Sequence, residues 1–377
     1  MARYFQKIAY NQPLRVGEPA PWFTAPAPVN PKFEFGYTAG RWVLLSFFGD
    51  AENPKSLTFL EHLAGANFNY DDNTFVSFGV STQARDQVDG PACRAFLHKR
   101  IFLDANMEVA RRYGLIIPGE SAETSLAYDR WFLLDPELRV YATGPLNAFD
   151  QLRQTIYSLP SCETHSGLDE SFAPVLVLPR VVSRAYCKAL IEMYEKGQPE
   201  ISGFMNEVNG KTVRNFDGSF KRRTDVTIKD KILVDELRSA ILTKIAPAIH
   251  KAYQFEVSQV ERYIVARYDA EEGGFFRAHR DNTTLGTAHR RFAVTINLNT
   301  EDYDGGDLRF PEYGMRTYKA PTGGAVVFSC ALLHEARPVT RGTRYATLPF
   351  LYDDAGAEVR KQNAASLEMR TRPDIIE

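Results

Sequence analysis

Two patterns of hydrophobic and polar residues divide the chain. Up to about residue 157 the apolar residues come in unbroken runs. "RWVLLSFFG" (41 to 49) and "TFVSFGVS" (74 to 81) leave no polar face, as expected of strands buried on both sides of a sheet. "IFLDANMEVARRYGL" (101 to 115) reads as a short strand, then a helix that opens near Asp104 and closes at Gly114. "WFLLDPELRVYAT" (131 to 143) reads as a hairpin turning at Asp135-Pro136. This half is therefore expected to be an α/β unit around a central sheet.

The polar stretch "SLPSCETHSGLDESFAP" (158 to 174) carries Gly and Pro and predicts a linker, placed at 161–171 between domains over 1–160 and 172–377. Beyond it, helices come first and strands second. "SRAYCKALIEMYEK" (183 to 196) opens on a serine cap and sets Cys187, Leu190, Ile191 and Tyr194 on one stripe. Residues 230 to 253 repeat the logic with Leu233, Leu237, Ile241 and Ile245, so both helices should pad one side of a sheet. Strands are expected at 259–269, 291–299, 307–314, 323–329 and 344–353. In the second of these, Phe292, Val294, Ile296 and Leu298 alternate with Ala293, Thr295, Asn297 and Asn299, which predicts one buried and one polar face. Short strands between Gly-rich turns predict a double-sheet jelly roll, an α+β unit with an open mouth.

Composition narrows the function. At 377 residues the chain exceeds what a single core usually organises, and 45 basic against 47 acidic residues leave a formal charge of -2. That balance gives no electrostatic reason to expect nucleic acid or an anionic membrane as partner. No apolar run nears the roughly 20 residues that span a bilayer, and the first residues lack a secretory pattern, so a cytoplasmic protein is expected. The four cysteines, Cys93, Cys162, Cys187 and Cys330, are widely spaced and expected as reduced thiols. The basic clusters at 221–223 and 289–291 read as solvated surface. A homodimer is left open.

Within "FFRAHRDN" (275 to 282), His279 and Asp281 stand two positions apart, a weak signal alone. His334, at the end of "GGAVVFSCALLH", supplies a second imidazole. Two imidazoles and one carboxylate on a jelly roll make the facial set that holds Fe(II) and leaves positions open, although Zn(II) suits the same donors. Arg344 favours iron: a keto diacid chelating the metal needs a fixed cation at its far carboxylate, and a guanidinium fork meets one in bidentate fashion.

Two family resemblances follow from these segments. "VGEPAPWF", "FLDANMEVARRYGL" and "RWFLLDPELRV" resemble the thioredoxin-like fold of peroxiredoxins over residues 14 to 157. Peroxiredoxin chemistry needs a thiolate at the start of the helix after the first long strand, and "GDAENPKSLTF" (49 to 59) has no cysteine there. Cys93 lies far downstream and is expected as a small core residue, making this half a redox-inactive scaffold or docking module. Residues 172 to 353, through "ARYDAEEGGFFRAHRD", "RFAVTINLNTEDYDGGDLRF", "APTGGAVVFS" and "HEARPVTRGTRY", resemble the prolyl 4-hydroxylase-like branch of the 2-oxoglutarate and Fe(II)-dependent oxygenases.

That second resemblance implies iron ligands at His279, Asp281 and His334, and Arg344 on the distal carboxylate of 2-oxoglutarate. It also implies Tyr268, Thr295 and Asn297 around the cosubstrate. Dioxygen is the second cosubstrate and ascorbate a candidate reductant. Phe276 and Phe350 depart from the family's usual Tyr and Trp, which affects substrate contacts rather than ligands. Asp281 favours hydroxylation over halogenation, since halogenating relatives carry a small residue there. The implied reaction is hydroxylation of an unactivated C–H bond in a prolyl, other amino-acid or peptide substrate. The irregular stretch 202 to 225 is expected to act as a lid with Arg222 or Arg223 meeting substrate, and Phe276 is a separate candidate for substrate contact. Rival readings are a thiol-dependent peroxidase acting through the first domain and a non-catalytic binding protein.

Overall fold

The computed structural model describes residues 12–28, 30–66, 68, 70–116, 128–167 and 171–368. It divides into two compact units, residues 1–172 with 311–315, and residues 173–310 with 316–377.

The first unit is built on a five-stranded sheet in the order Ile101–Leu103, Phe75–Ser81, Trp42–Gly49, Arg130–Leu134, Val140–Pro145. The first three strands are parallel and the last two join antiparallel. Every residue of Trp42–Gly49 and Phe75–Ser81 is buried, Ser46, Ser77 and Ser81 included, as expected of strands covered on both faces. Helix Pro54–Gly65 follows the central strand, with Pro54 in its first turn and the Asn53 side chain accepting from the Lys55 N–H at 3.0 Å. No thiol stands at that cap. The helix expected from Asp104 begins later, at Glu108, because Met107 holds a left-handed backbone, φ 55°. Asp104 still caps it, accepting from the amides of Val109 and Ala110 at 3.0 and 2.9 Å.

In the second unit, Arg184–Glu195 begins on Ser183, whose hydroxyl accepts from the Tyr186 amide. The second amphipathic segment runs as Lys231–Ala240, a π-helical turn Ile241–Ile245, and Ala246–Tyr253. Pro247 accounts for that turn: it brings no N–H, its ring crowds the preceding turn, and the Ala246 amide reaches back to the Ile241 carbonyl. Tyr186, Cys187, Leu190, Leu237, Ile241 and Ile245 pack against Val265, Val294, Ile296 and Val327 of one sheet, the padding that the stripes predict.

That larger sheet runs Gln259–Glu261, Phe350–Tyr352, Phe292–Asn297, Thr343–Thr347, Ile264–Asp269, Thr224–Thr227, Glu200–Ile201, with Ala325–Ser329 also paired to Phe292–Asn297. A smaller sheet runs Lys221–Arg222, Phe275–His279, His334–Ala336, Leu308–Arg309, Thr317–Tyr318. One cavity takes its lining from both sheets, from His279 and His334 on the smaller and Thr295 and Arg344 on the larger.

Several sequence expectations change. The strand over 259–269 is two strands, broken where Arg262 adopts a positive φ of 67°. The polar face of Phe292–Asn297 is buried too, Thr295 and Asn297 being 4% and 2% exposed, because the opposite sheet covers it. The strand over 307–314 shrinks to Leu308–Arg309 before a 3-10 turn at Pro311. The stretch 202 to 225 contains a hairpin, Phe204–Val208 with Lys211–Asn215, turning through Asn209 and Gly210, both at positive φ.

Candidate metal and cosubstrate site

His279 ends one strand and His334 begins its antiparallel neighbour, in register with each other. Distant in sequence, the two imidazoles therefore sit side by side, ring centroids 4.3 Å apart. Asp281 follows at the strand's exit, where its amide donates to the Cys330 carbonyl at 2.9 Å and turns the carboxylate back toward both rings. Its oxygens lie 3.5 Å from His279 Nε2 and 3.3 Å from His334 Nε2. One ligand atom from each residue falls within 4.8 Å of the others.

The backbone sets the tautomers. His279 Nδ1 lies 2.8 Å from the Arg277 carbonyl and His334 Nδ1 lies 3.0 Å from the Leu332 carbonyl. A carbonyl only accepts, so each Nδ1 carries a proton and each Nε2 is the atom turned to Asp281 and available to a metal. Burial, with His334 alongside, pushes His279 down to about 4, so it is neutral near pH 7. Burial alone would raise the Asp281 carboxyl, but the adjoining imidazoles hold it well below the usual carboxylate range. Two imidazoles and one carboxylate on one side of a cavity fit a divalent ion with open positions, Fe(II) or Zn(II) by donor type.

Arg344 stands opposite Tyr268 on adjacent strands and is 2% exposed. Its guanidinium carbon lies 4.9 Å from the Tyr268 ring centroid, and its Nε and Nη1 have no hydrogen-bond partner. A buried guanidinium with two nitrogens unbonded and no carboxylate beside it is costly, so the site is short of an anion at that point. The distal carboxylate of a keto diacid would supply it.

The other candidates separate. Tyr268 lines the cavity and its hydroxyl accepts from Arg223 Nη1 at 3.2 Å. Thr295 lines it as well; Asn297 is not among the lining residues, its amide donating to the Ala320 carbonyl at 2.8 Å. Phe276 lies parallel to the His279 ring, centroids 3.5 Å apart. Arg223 is buried, lines the cavity and also donates to Asp225 at 2.8 Å. Arg222 is exposed and spends its donors on the Gly218 and Glu272 carbonyls, away from the cavity lining. The cluster 221–223 is thus only partly solvated: Lys221 is buried, its Nζ donating to Ser202 Oγ and the Gly203 carbonyl.

The cluster 289–291 is not plain surface either. His289 is 2% exposed with Nε2 2.9 Å from Glu261, and Arg290 Nε donates to the same carboxylate at 2.6 Å. Arg290 also lies over Phe350, a cavity-lining ring, at 3.9 Å. Burial by itself would raise Glu261, but the His289 hydrogen bond and the Arg290 charge carry it down to about 2 from its ordinary 4.5. A carboxylate so depressed stabilises the fold above its unfolded pKa, and loses that contribution as pH falls from about 4.5 through about 2. Glu261→Gln should therefore lower stability at pH 7 by about 3 kcal/mol and flatten the acid limb of a urea-unfolding series taken across pH.

Two segments of the chain match known families. Residues 263–352 match the model of the 2OG-Fe(II) oxygenase superfamily, and residues 16–143 match that of the AhpC/TSA family. The chain thus carries a segment similar to the 2OG-Fe(II) oxygenase superfamily in its carboxy-terminal half and one similar to the AhpC/TSA family, of thioredoxin-like fold, in its amino-terminal half. Among curated relatives, it is similar to a PKHD-type hydroxylase of Paracoccus denitrificans, 43% identical over 89 residues, or 22% of this chain and 38% of the relative. PKHD-type hydroxylase PiuC of Pseudomonas aeruginosa is 39% identical over 83 residues, 20% of this chain and 37% of that protein. The chain thus spans well under two thirds of the length of these relatives. Among solved structures, a prolyl hydroxylase from Trichoplax adhaerens, in complex with a hypoxia inducible factor peptide fragment, covers 50% of this chain and 86% of its own at 16% identity and a TM-score of 0.39. No helix among the described residues is long and apolar enough to cross a membrane.

Proposed function

We propose that the carboxy-terminal unit is an Fe(II)- and 2-oxoglutarate-dependent dioxygenase that hydroxylates an unactivated C–H bond of a small-molecule, amino-acid or peptide substrate. The observation that carries this reading is the pairing of the His279, Asp281, His334 cluster with a buried Arg344 that has no carboxylate partner among the described residues and whose Nε and Nη1 are unbonded, in one cavity. A hydrolytic zinc site would need the cluster alone; a cosubstrate with a second carboxylate gives Arg344 its counterion.

His279, Asp281 and His334 would hold the iron, and Arg344 the distal carboxylate of 2-oxoglutarate. Bound iron would supply the activation of dioxygen, the oxidant of the reaction, one of whose oxygen atoms enters succinate as 2-oxoglutarate loses carbon dioxide and the other the new hydroxyl of the substrate. The chain's own work is placement and exclusion. Nδ1–H bonds from His279 and His334 to the backbone keep both Nε2 lone pairs aimed inward. Tyr268 covers the Arg344 guanidinium. Phe276, Phe328 and Leu308 give the cavity a dry wall that limits access of water to the reacting carbon.

The direct test is anaerobic reconstitution with Fe(II), 2-oxoglutarate and ascorbate as reductant, then admission of air with amino acids, proline peptides or cell extract. Oxygen-dependent succinate release with a product heavier by one oxygen supports the reading. Metal-dependent hydrolysis without 2-oxoglutarate consumption sinks it.

The thiol peroxidase reading has no such support. Burial raises the pKa of Cys93, whose thiol donates to the Asp86 carbonyl, and burial raises Cys162 as well. Neither is the depressed thiol that peroxide chemistry needs. With dithiothreitol as reductant, the protein should consume hydrogen peroxide no faster than the protein-free blank.

A further inference from the structure

The cavity contains a second guanidinium without a counterion. Arg262 sits between two strands in a left-handed backbone, φ 67°, a conformation that costs an arginine about 1 kcal/mol or more and that persists where the fold holds a side chain to a purpose. Its side chain lines the cavity beside the metal cluster. Nε donates to the Leu348 carbonyl at 3.0 Å, and the guanidinium lies 4.3 Å from the Phe350 centroid, with Arg290 on the same ring. It forms no ion pair among the described residues. The neighbouring charges are already matched, Arg223 with Asp225 and Arg290 with Glu261. Burial and the two adjacent arginines press Arg262 down to about 10, against the smaller opposing pull of Asp225 and Asp281. Lys221, beside it, is turned to other partners, its Nζ donating to Ser202 Oγ and the Gly203 carbonyl.

Charge balance then points to the missing group. A divalent ion and Arg344 are matched by the Asp281 carboxylate and a dianionic keto diacid, and Arg262 is left over. We propose that Arg262 is a specificity-determining residue of this cavity and that the substrate presents a carboxylate to it, as a free amino acid or at the carboxy terminus of a peptide. The proposal rests on the hydroxylase reading. The planar guanidinium would grip the carboxylate through its terminal nitrogens while Phe350 and the Leu348 carbonyl hold its plane. Hydroxylation would then fall on a carbon within a few bonds of that carboxylate, since both groups meet in one cavity.

The test uses the full chain with Fe(II) and 2-oxoglutarate, and a panel of L-amino acids beside their carboxamides, with proline peptides bearing free or amidated carboxy termini. The expected result is substrate-stimulated succinate release with carboxylates, and a kcat/KM at least about 10²-fold lower for the matching amide. Stimulation by free amino acids alone, or by free-terminus peptides alone, identifies the source of the carboxylate. Arg262→Gln should raise KM for the best acid by about 10²-fold while moving KM for 2-oxoglutarate only a few-fold, with Arg262→Lys between. Anaerobic calorimetric titration of that acid into the loaded protein should show the same loss of affinity without any turnover. Equal use of acids and amides, stimulation by no carboxylate in the panel, or an Arg262→Gln defect confined to 2-oxoglutarate overturns the proposal while leaving the hydroxylase reading intact. If 2-oxoglutarate is never turned over, the hydroxylase reading itself fails and takes the proposal with it.

Discussion

Asp281→Ala is expected to reduce Fe(II)- and 2-oxoglutarate-dependent succinate release by about 10³-fold or more while leaving the fold intact. The carboxylate is the one anionic donor of the cluster and sits within 3.5 Å of both imidazoles. Without it, two neutral rings would have to hold a divalent ion against water, and the ion's charge would lose its only protein counterpart. Altering groups that merely orient a ligand typically costs 10- to 100-fold, so removing a charged ligand should exceed that range. Thermal unfolding separates lost chemistry from lost structure. Wild-type protein should melt at a higher temperature when Fe(II) is added anaerobically, since an ion bound only to the folded state stabilises it by mass action. The variant should melt at a temperature that does not respond to the metal. A variant that retains more than a tenth of wild-type turnover would remove Asp281 from the site.

The second large effect falls on Arg344. Arg344→Met should raise KM for 2-oxoglutarate by about 10² to 10³-fold, the equivalent of the roughly 3–5 kcal/mol lost when one partner of a buried charge pair is removed. Arg344→Lys should recover part of the loss, because it restores charge without the fork. The same Met substitution should leave the cosubstrate-free protein as stable as wild type or more so, because Nε and Nη1 of Arg344 are buried with no partner. Opposite signs for stability and cosubstrate affinity distinguish a binding cation from a structural one. A Met variant that unfolds readily while binding 2-oxoglutarate normally would assign Arg344 to the scaffold.

Legibility in the sequence varied with the physics behind each feature. Strands buried on both faces are plain in Trp42–Gly49 and Phe75–Ser81, since no polar residue can interrupt them without cost. The helix stripes over 183–196 and 230–253 are equally plain, and only the π-helical turn before Pro247 escapes a simple period. Convergence of His279 and His334 has no local signature. It depends on two short strands meeting in register, and only the family pattern brings those segments together. The hairpin at 204–215 carries a readable Asn209-Gly210 turn, but the weak alternation on either side hides its strands. Arg262, His289 and Arg290 look like surface because each is polar. Glu261, from an edge strand, pairs with His289 and Arg290 and allows their burial, and the positive φ that places Arg262 at the cavity leaves no mark in the amino-acid string.

If three side chains converge on one divalent ion in a cavity that also grips a keto diacid, binding of the diacid must depend on the metal, one for one. Anaerobic titration of metal-free protein with Fe(II), followed by radiolabelled 2-oxoglutarate, tests it most directly. One iron per chain and one 2-oxoglutarate per iron are predicted, with iron lost in Asp281→Ala and 2-oxoglutarate lost in Arg344→Met. Stoichiometric 2-oxoglutarate binding that ignores iron, or iron binding unchanged by Asp281→Ala, would contradict it.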